Sequence, residues 1–564
     1  MSSVSQTNVQ QQTGKSLVAS LFSACKQLKK IHVSTLLLAL ILAAPLISIS
    51  IEAFAPNSDT FAHIQQTVLA DYVINTCLLA LGVSILVISI GVPLAWLIAI
   101  CDFRFKGFFQ WALVLPLAMP AYIVAYTYTD LFDYAGPIQT NLRNWFGWQS
   151  ATDYYFFDIR SLPGAIIVLA LVLYPYVYLM VRAGFLEQQA NLTHVARTMG
   201  YSPTKCFFKV SVPVARNAII ASTALVLMES IADFATVKYF AVSTLTTAIY
   251  DTWLGYYDLA AAAKLSIIMV AGIFILLYFE RLQNGKKQTH NDAKLSAQKL
   301  VYQLNKKQSF AAFCFCSLIL LVSFVAPLII LADYAIDYFS QAWNDKLLQF
   351  TLNSLIIAAL TAIIAIVFSL LLNFSLRIKP NKLHKSSLKV ASSGYAIPGT
   401  VMAIGVLIPL AFLDNQINAL AESLNLSAPG LLLSGSFIAI VLAHSIRFIA
   451  IANKGIEASY SKVSPSLDMV AKTMGQTSFN IFRKVHFALI RKSVLVAGLL
   501  IFVESMKELP AALLLRPFDY QTLPTYVFQY ASTEQLEIAA LGAIIIVVVG
   551  LIPLIVINRS IEKN

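Results

Sequence analysis

VARTMGYSPTKCFFKV occupies residues 195–210, and VAKTMGQTSFNIFRKV occupies residues 470–485. Eight of the sixteen positions are identical, and the two copies lie 275 residues apart. Each copy is polar, basic and centred on a glycine, whereas the chain around it is strongly apolar. A repeat of this kind indicates two homologous halves that present the same surface twice, so the repeat decides how the rest of the chain is read.

The composition indicates a protein that lies mostly within a membrane. Apolar residues make up 58% of the 564 and charged residues only 12%, whereas a soluble domain carries about twice that charge. The apolar residues cluster in runs of about 20, the length of helix that crosses a bilayer core. We therefore expect an all-α polytopic membrane protein with about twelve transmembrane helices, placed near residues 33–54, 73–101, 110–130, 161–182, 217–237, 258–280, 309–332, 350–376, 389–413, 429–452, 493–514 and 534–557.

The basic residues predict the orientation of these spans. The intervals assigned to the outside hold five of the 40 lysines and arginines, five more fall within spans or at their ends, and the other 30 lie in tails and loops assigned to the inside. This positive-inside asymmetry predicts that both termini and both copies of the repeated loop face the cytoplasm. The net charge of +12 then reflects topology, and no nucleic-acid partner is expected. Apart from Cys77, the six cysteines lie in spans or on the reducing side, so no disulfide framework is expected.

The repeat extends well beyond the two loops. Because its offset skips six spans, the two halves are expected to have parallel topology, related by an axis along the membrane normal. Three further pairs of segments match, at offsets of 275 or 278 residues: MESIADF (228–234) with VESMKEL (503–509), INTCLLAL (74–81) with LNSLIIAA (352–359), and AMPAY (118–122) with AIPGT (396–400).

These matches divide the chain into two transmembrane halves joined by a linker. A full-length apolar span follows a polar leader, which is typical of an uncleaved anchor rather than a signal peptide. The predicted parts are a cytoplasmic tail (1–32), a first span with its outer loop (33–72), the first half (73–280), a basic cytoplasmic linker with the seventh span and its outer loop (281–349), the second half (350–557) and a cytoplasmic tail (558–564).

Each repeated loop is predicted to form a short helix, a glycine break and a second short helix. Gly200 can adopt the left-handed conformation that ends a helix, while Ser202 suits the N-cap of a helix whose first residue is Pro203. The second copy has Gly475, followed by Thr477 or Ser478 as the cap. Two such surfaces at matching places indicate a twofold-symmetric partner.

At these residues the chain resembles a known family. The paired loops resemble the "EAA" loops of ABC-importer permeases, whose glycine-centred helix fits a cleft on the ATP-binding subunit. Two departures occur: the family's leading glutamate is His194 in the first loop and Met469 in the second, and the family's later proline, kept as Pro213, is Ala488 in the second. Longer stretches resemble the fused, double-length ferric-iron permeases of bacteria, among them LAWLIAICDFRFKGFFQWALVLPLAMPAYIVAY, DYAGPIQT, FDIRSLPGAIIVLALVLYPYVYLMVRAGFL and LVLMESIADFATVKYFAVSTLTTAIYDTWLG.

The resemblance implies a fold, a function and a set of partners. The fold is that of type I ABC-importer permeases, in the bacterial inner membrane. A periplasmic iron-binding protein would deliver ferric iron to the outer face, and two copies of a cytoplasmic ATP-binding subunit would hold ATP-Mg and engage the loops. The residues expected to dock that subunit are Ala196, Arg197, Gly200, Lys205 and Lys209 in the first loop, and Ala471, Lys472, Gly475, Arg483 and Lys484 in the second.

The chain carries no recognisable catalytic motif. A P-loop needs the pattern G-x-x-x-x-G-K-[ST], and although Gly14 begins a GKS sequence, position 9 is Val9. Neither H-E-x-x-H, G-x-S-x-G nor a metal-spaced Cys/His pair occurs. We therefore expect a transport subunit rather than an enzyme, with no cofactor of its own and with ATP hydrolysis on a separate subunit.

Four carboxylates fall inside predicted spans, where charged residues are costly and usually functional. The fifth span holds Glu229 and Asp233, and the eleventh holds Glu504 and Glu508, each pair at the spacing that shares one helix face. Ferric iron is a hard cation suited to oxygen ligands, so the four are candidates for a cation pathway. Alternatively, Glu229 and Glu504 cap or pair within the bundle, with Lys507 or Arg447 as partners. Tyr174, Tyr176 and Tyr178 are interpreted as packing and interface residues.

Other functions remain open at the level of the sequence. The same architecture imports thiamine, spermidine or oxyanions, although acidic rather than basic residues in the spans disfavour an oxyanion. An ion-coupled secondary transporter also uses repeated halves, but it has no need of two basic helix–glycine–helix loops. A membrane enzyme is disfavoured because no catalytic constellation is present.

Ser150 and Ser423 lie in predicted outer loops, and Gln288 lies in the predicted cytoplasmic linker. In a background without native cysteines, Ser150→Cys and Ser423→Cys should react with an impermeant thiol reagent added to intact cells, and Gln288→Cys should react only after lysis. Labelling of Gln288→Cys in intact cells would overturn the orientation and the placement of both loops.

Overall fold

The computed structural model describes residues 35–56, 58–186, 200–284, 302–378 and 380–562. The predicted N-terminal tail, most of the linker and the start of the first repeated loop lie outside these ranges. Within them, ten helices are long and apolar enough to cross a membrane, and twelve spans result if each of two bent helix pairs counts as one. The predicted all-α polytopic fold is confirmed.

The first half of the chain forms a series of long and short helices. The elements up to residue 284 are the helices Thr35–Ala53, Asp59–Thr67, Leu69–Ile100, Lys106–Ala112, Ala121–Phe132, Pro137–Phe146, Leu162–Leu186, Pro203–Cys206, Val212–Val214, Arg216–Ala232, Ala235–Tyr239, Leu245–Tyr250 and Leu259–Asn284, with a 3-10 turn at Leu115–Ala118 and π-helical turns at Phe207–Ser211 and Asp251–Gly255.

The remainder of the chain repeats much of this order. Its helices are Lys306–Leu320, Ala326–Asp337, Phe339–Ala342, Asp345–Ile378, Lys382–Ser393, Gly399–Ser423, Phe437–Tyr460, Pro465–Thr473, Ser478–Ile481, Phe487–Lys507, Pro510–Leu515, Leu523–Ser532 and Leu536–Glu562, with π-helical turns at Leu321–Val325 and Phe482–His486 and a 3-10 turn at Gly394–Ala396. Two short parallel strands, Cys101–Asp102 and Tyr302–Gln303, pair where the linker returns to the first half.

Five predicted spans differ from the observed helices, and the tenth, predicted at 429–452, runs from Phe437 to Tyr460. The third, predicted at 110–130, is bent by 90° between Lys106–Ala118 and Ala121–Phe146, because Pro120 offers no backbone N–H and restrains the residue before it. The ninth, predicted to begin at 389, begins at Gly399, directly after Pro398. The fifth and eleventh end early, at Ala232 and Lys507, and continue as separate short helices.

The two halves share local structure as well as sequence. The π-helical turns Phe207–Ser211 and Phe482–His486 lie at the same offset as the loop repeat. The Thr76 hydroxyl accepts a hydrogen bond from the Leu245 backbone N–H at 3.0 Å, and the Ser354 hydroxyl accepts one from Leu523 at 2.7 Å. Capping boxes begin the helices after Thr244 and Thr522.

The helices that flank each half pack against the opposite half. In the first span, the Ser48 hydroxyl donates to the Gly405 carbonyl at 2.7 Å. In the seventh span, the Tyr334 hydroxyl donates to the Asp130 carboxylate. The last helix lies so close to the first half that a Cβ at Gly550 would come within 2.7 Å of the Ala118 carbonyl oxygen. The two halves are therefore interlocked rather than merely adjacent.

The paired buried hydroxyls give a test of this packing. Thr76→Val and Ser354→Ala each remove the acceptor of a buried backbone N–H and should lower the free energy of unfolding by about 1–3 kcal/mol, measured as a fall in melting temperature of the purified protein. Ser89→Ala is the matched control, since its exposed hydroxyl bonds within its own helix. Equal melting temperatures for all three variants would contradict the assignment.

Candidate functional site

The second repeated loop has the predicted helix–glycine–helix form. The helix Pro465–Thr473 ends before Gly475, whose φ of 73° is left-handed. Thr477 then caps the helix Ser478–Ile481 by accepting a hydrogen bond from the Asn480 N–H at 3.4 Å. That helix runs through a π-helical turn into Phe487–Lys507, so one nearly continuous element of 30 residues leads from the loop into the membrane.

The first loop is described from Gly200 onward, so Ala196 and Arg197 lie outside the described residues. Gly200 has a φ of 77°, and the Ser202 hydroxyl accepts a hydrogen bond from the Lys205 N–H at 3.3 Å. Lys205 also lies over the Tyr201 ring, 4.4 Å from its centroid. The element from Thr204 to Val214 then meets Arg216–Ala232 at 72°. The short helix therefore again leads directly into a span.

The docking residues predicted from sequence are exposed, with one exception in the described ranges. Ala471 is only 7% exposed, because it lies three residues after Asp468 on a neighbouring part of the helix surface, and Asp468 is bound to Arg377 of the bundle. The second loop also presents large apolar side chains to solvent, which basic patterning alone did not predict: Met469, Val470, Met474 and Phe479.

A cluster of charged residues holds the second loop against the bundle. Asp468 lies 2.7 Å from the Arg377 guanidinium and 2.6 Å from His486 Nε2, and Arg377 also donates to the Val463 carbonyl at 3.0 Å. Burial opposes ionisation of Asp468, but the hydrogen bonds and charges of His486 and Arg377 outweigh it and hold the pKa of that carboxyl below its usual value. The helix Pro465–Thr473 is thereby fixed to the end of Asp345–Ile378.

All four predicted intramembrane carboxylates line one cavity between the two halves. The cavity also contains two basic side chains, so its lining carries an excess of two negative charges. The charged residues of the lining are Glu229, Asp233, Glu504, Glu508, Arg447 and Lys507. Among the residues that the structure describes, no group of three or more His, Cys, Asp or Glu side chains is arranged to hold a metal ion.

Asp233 and Glu508 do not lie on a shared helix face with Glu229 and Glu504, as the spacing predicted. Each lies just beyond its helix in extended conformation and caps the next short helix. Asp233 Oδ1 accepts from the Thr236 and Val237 N–H groups at 3.0 and 3.2 Å. Glu508 does the same for Ala511 and Ala512. The second carboxylate of each pair therefore accepts hydrogen bonds from backbone N–H groups that would have no acceptor after the break in the helix.

The remaining contacts distinguish the carboxylates further. Glu508 is nearly fully buried, 2.8 Å from Arg447 and 2.9 Å from His444 Nε2, and Glu504 pairs with Lys507 at 2.9 Å. Glu229 instead accepts a hydrogen bond from the Tyr395 hydroxyl at 2.6 Å. Lys507 is thus a partner of Glu504, as one alternative predicted, whereas Arg447 serves Glu508.

Two tyrosines that line the cavity, Tyr122 and Tyr176, were not predicted as site residues. Tyr174 and Tyr178 donate to the Leu113 and Gln110 carbonyls, consistent with packing roles. Tyr176, between them in sequence, lines the cavity and contacts Tyr395. A sequence with three alternating tyrosines gives no signal that singles out the middle one.

Comparison with known proteins shows which proteins this chain resembles. Residues 91–287 match the family described as "Binding-protein-dependent transport system inner membrane component". The chain is 26% identical to the Fe(3+)-transport system permease protein FbpB 2 of Haemophilus influenzae over 87% of this chain and 90% of that protein. It is 22% identical to the ferric transport system permease protein FbpB of Actinobacillus pleuropneumoniae over 77% of this chain and 63% of that protein. It is 29% identical to the molybdenum transport system permease protein ModB of Escherichia coli over 37% of this chain and 93% of that protein. The resemblance predicted from the sequence is confirmed.

Glu508→Gln tests the structural role of the buried carboxylate. The change leaves Arg447 without its anionic partner, so the free energy of unfolding should fall by about 3–5 kcal/mol, seen as lower membrane abundance and melting temperature. Asp233→Asn is the matched comparison, because it keeps an oxygen that can cap Thr236 and Val237, and its effect should be smaller. Normal stability of Glu508→Gln with lost transport would instead assign Glu508 to the cargo pathway.

Proposed function

We propose that this chain, whose residues 91–287 belong to the binding-protein-dependent permeases, is the membrane-spanning subunit of an ATP-driven importer of ferric iron. The observation that carries the proposal is the cavity between the halves, where carboxylate oxygens outnumber basic groups. Oxygen ligands suit a hard, highly charged cation. A relative that matches 87% of this chain over 90% of its own length is named for Fe(3+) transport.

Molybdate is the second candidate cargo, because a molybdenum permease matches about a third of the chain. An oxyanion requires donors that are free to bind it. Arg447 and Lys507 line the cavity, but each is already paired with a carboxylate at 2.8–2.9 Å. The charge of the lining therefore favours a cation over an oxyanion.

The loops and the cavity are connected by single elements, which suggests how ATP would drive transport. The element Ser478–Lys507 begins at the second loop and ends beside Glu504 and Glu508. In the first half the corresponding route is bent at Ala215 before it reaches Glu229. Two copies of an ATP-binding subunit, holding ATP-Mg, would draw the loops together and rock these elements, opening the cavity outward. Hydrolysis would reset it, and an iron-binding protein would dock outside.

The second loop presents both apolar and basic side chains for docking. The second loop combines exposed apolar residues such as Met469 and Met474 with the basic Lys472 and Arg483. The Asp468–Arg377 ion pair joins this loop to the end of a long span, so the loop and the span would move together. Exposure of several large apolar side chains to water is unfavourable and is typical of an interaction surface, so we assign them to contact with the cleft of the ATP-binding subunit.

The cargo is tested by transport into proteoliposomes that contain this chain with its ATP-binding subunit and binding protein. Radioactively labelled ferric citrate is added outside the vesicles, and ATP is enclosed in the lumen, which corresponds to the cytoplasm. Labelled iron should then accumulate in the lumen. Molybdate should not accumulate under the same conditions. Accumulation of molybdate without iron would replace the proposed cargo by the second candidate.

Gly200→Val and Gly475→Val test the docking role of the loops. Among the described residues, a Cβ at either position would meet no other heavy atom within 4 Å, so the expected effect is the cost of the left-handed backbone, about 1 kcal/mol or more. The tilted helix should uncouple ATP hydrolysis from uptake while the protein still inserts. We expect Gly200→Val to have the larger effect, because the first loop keeps more of the family pattern.

Gly430→Val is the matched control for this experiment. Gly430 has the same φ of 77° and the same open surroundings, but it lies in a predicted outer loop. It should carry the same strain without uncoupling transport. If all three variants take up cargo normally with the ATP-binding subunit still attached, the loops do not couple the two processes.

A further inference from the structure

Glu229 is distinguished from the other cavity carboxylates by its partners. Glu508 is matched by Arg447 and His444, Glu504 by Lys507, and Asp233 by the backbone of the helix that it caps. Across the described ranges, no lysine, arginine or histidine lies within ion-pair distance of Glu229. Its hydrogen-bond donor is the neutral Tyr395 hydroxyl at 2.6 Å. Glu229 is thus a cavity carboxylate that is engaged neither by a basic side chain nor by the backbone of a capped helix.

The internal repeat shows where this difference arises. Glu229 and Glu504 are equivalent at the offset of 275, and so are Ala232 and Lys507. The second half therefore places a lysine three residues after its carboxylate, whereas the first half places an alanine there. Lys507 also donates to the Leu117 carbonyl at 3.3 Å.

The residue that each carboxylate or its lysine meets in the opposite half also differs between the two halves. Leu117 is equivalent to Tyr395 at the offset of 278. In one half the carboxylate is neutralised by a basic residue, and in the other it meets a phenol that is supplied across the interface. The repeat has thus retained the two carboxylates but changed what surrounds each of them.

Oxygen atoms from three tyrosines gather around this carboxylate and cavity. Tyr395 contacts both Glu229 and Tyr176, and Tyr176 lies in the cavity lining close to Glu229 and Glu504. Tyr122 also lines the cavity and is only 4% exposed, yet its hydroxyl has no hydrogen-bond partner among the described residues. A buried hydroxyl left without a partner is costly, which indicates that a ligand or its bound water completes this side of the cavity.

We propose that Glu229, Tyr395 and Tyr176 form a transient, all-oxygen binding site for ferric iron between the two halves. This proposal rests on the proposed function and specifies its cargo site. Tyrosine oxygen is an established ligand of ferric iron in proteins. On binding, each phenol O–H bond breaks, an oxygen–iron bond forms and the proton leaves to water, with no change of oxidation state. Two phenolates and one carboxylate then balance the three positive charges of the ion.

The position of the site explains how a tight ligand set could still release its cargo. Glu229 and Tyr176 belong to the first half, whereas Tyr395 lies in the 3-10 turn Gly394–Ala396 of the second. Rocking of the halves would withdraw Tyr395 from Glu229 and remove one ligand. Glu504 remains with Lys507 beside the site and can accept the released ion only weakly. The Tyr122 hydroxyl, which has no hydrogen-bond partner among the described residues, lines the same cavity and could bond a water carried by the ion.

The test is a titration of the purified full-length chain with ferric citrate, combined with ATP-driven iron uptake in proteoliposomes. Ferric phenolates absorb visible light by charge transfer from the tyrosine oxygen, so the wild-type chain should develop a coloured band that saturates with iron. Tyr395→Phe and Tyr176→Phe keep ring packing and should each weaken the band and reduce iron uptake at least about tenfold, the usual scale for a disrupted metal site. Glu229→Gln should reduce uptake similarly.

Tyr178→Phe is the matched control, because Tyr178 lies on the same helix but bonds to the Gln110 carbonyl away from the cavity. It should keep both band and uptake, and melting temperatures should agree among the tyrosine variants. Iron uptake without a band, or normal uptake by Tyr395→Phe and Tyr176→Phe, would reject this site while leaving the ferric importer intact. Absence of iron uptake by the wild-type chain would reject the proposed function itself, and the site with it.

Discussion

Within a bilayer, every backbone N–H released by a break in a helix must find another acceptor, and this constraint organises the centre of the protein. The fifth and eleventh spans both break at the depth of the cavity. Asp233 and Glu508 follow the breaks and accept hydrogen bonds from the first N–H groups of the next helices. These caps allow the chain to turn, and the turn creates the space that the other carboxylates line. Asp233 and Glu508 therefore have a structural role as helix caps, whether or not they also contact the cargo.

The same constraint separates two roles that look identical in the sequence. Four carboxylates occur in two equivalent pairs, but the structure gives the second member of each pair to the backbone. Burial of Glu508 with both Arg447 and His444 leaves little charge to attract a cation. Glu229 and Glu504 have no such role in the backbone, and Glu504 forms an ion pair with Lys507. The two halves therefore differ in the partners of their carboxylates rather than in the sequence positions of the carboxylates.

Interlocking of the halves links this centre to the repeated loops. The first span is bonded to the second half through Ser48, and the seventh is bonded to the first half through Tyr334. Motion of one half would therefore also move a helix that belongs to the other half in sequence. The Asp468–Arg377–His486 cluster gives the second loop a rigid base. The single element Ser478–Lys507 connects this loop with the cavity.

The sequence by itself determined the features that depend on local pattern. Apolar runs long enough for a bilayer predicted the polytopic helical fold, and the repeat predicted the paired loops and the left-handed Gly200 and Gly475, because such features are set by neighbouring residues. Tertiary structure decided the rest. Helix breaks after Ala232 and Lys507, the exchange of flanking spans and the inward-facing Ala471 depend on packing partners far away in the chain. The contact of Tyr395 with Glu229 joins residues 166 positions apart, and periodicity reports which face of a helix is apolar but not which distant side chain will meet it.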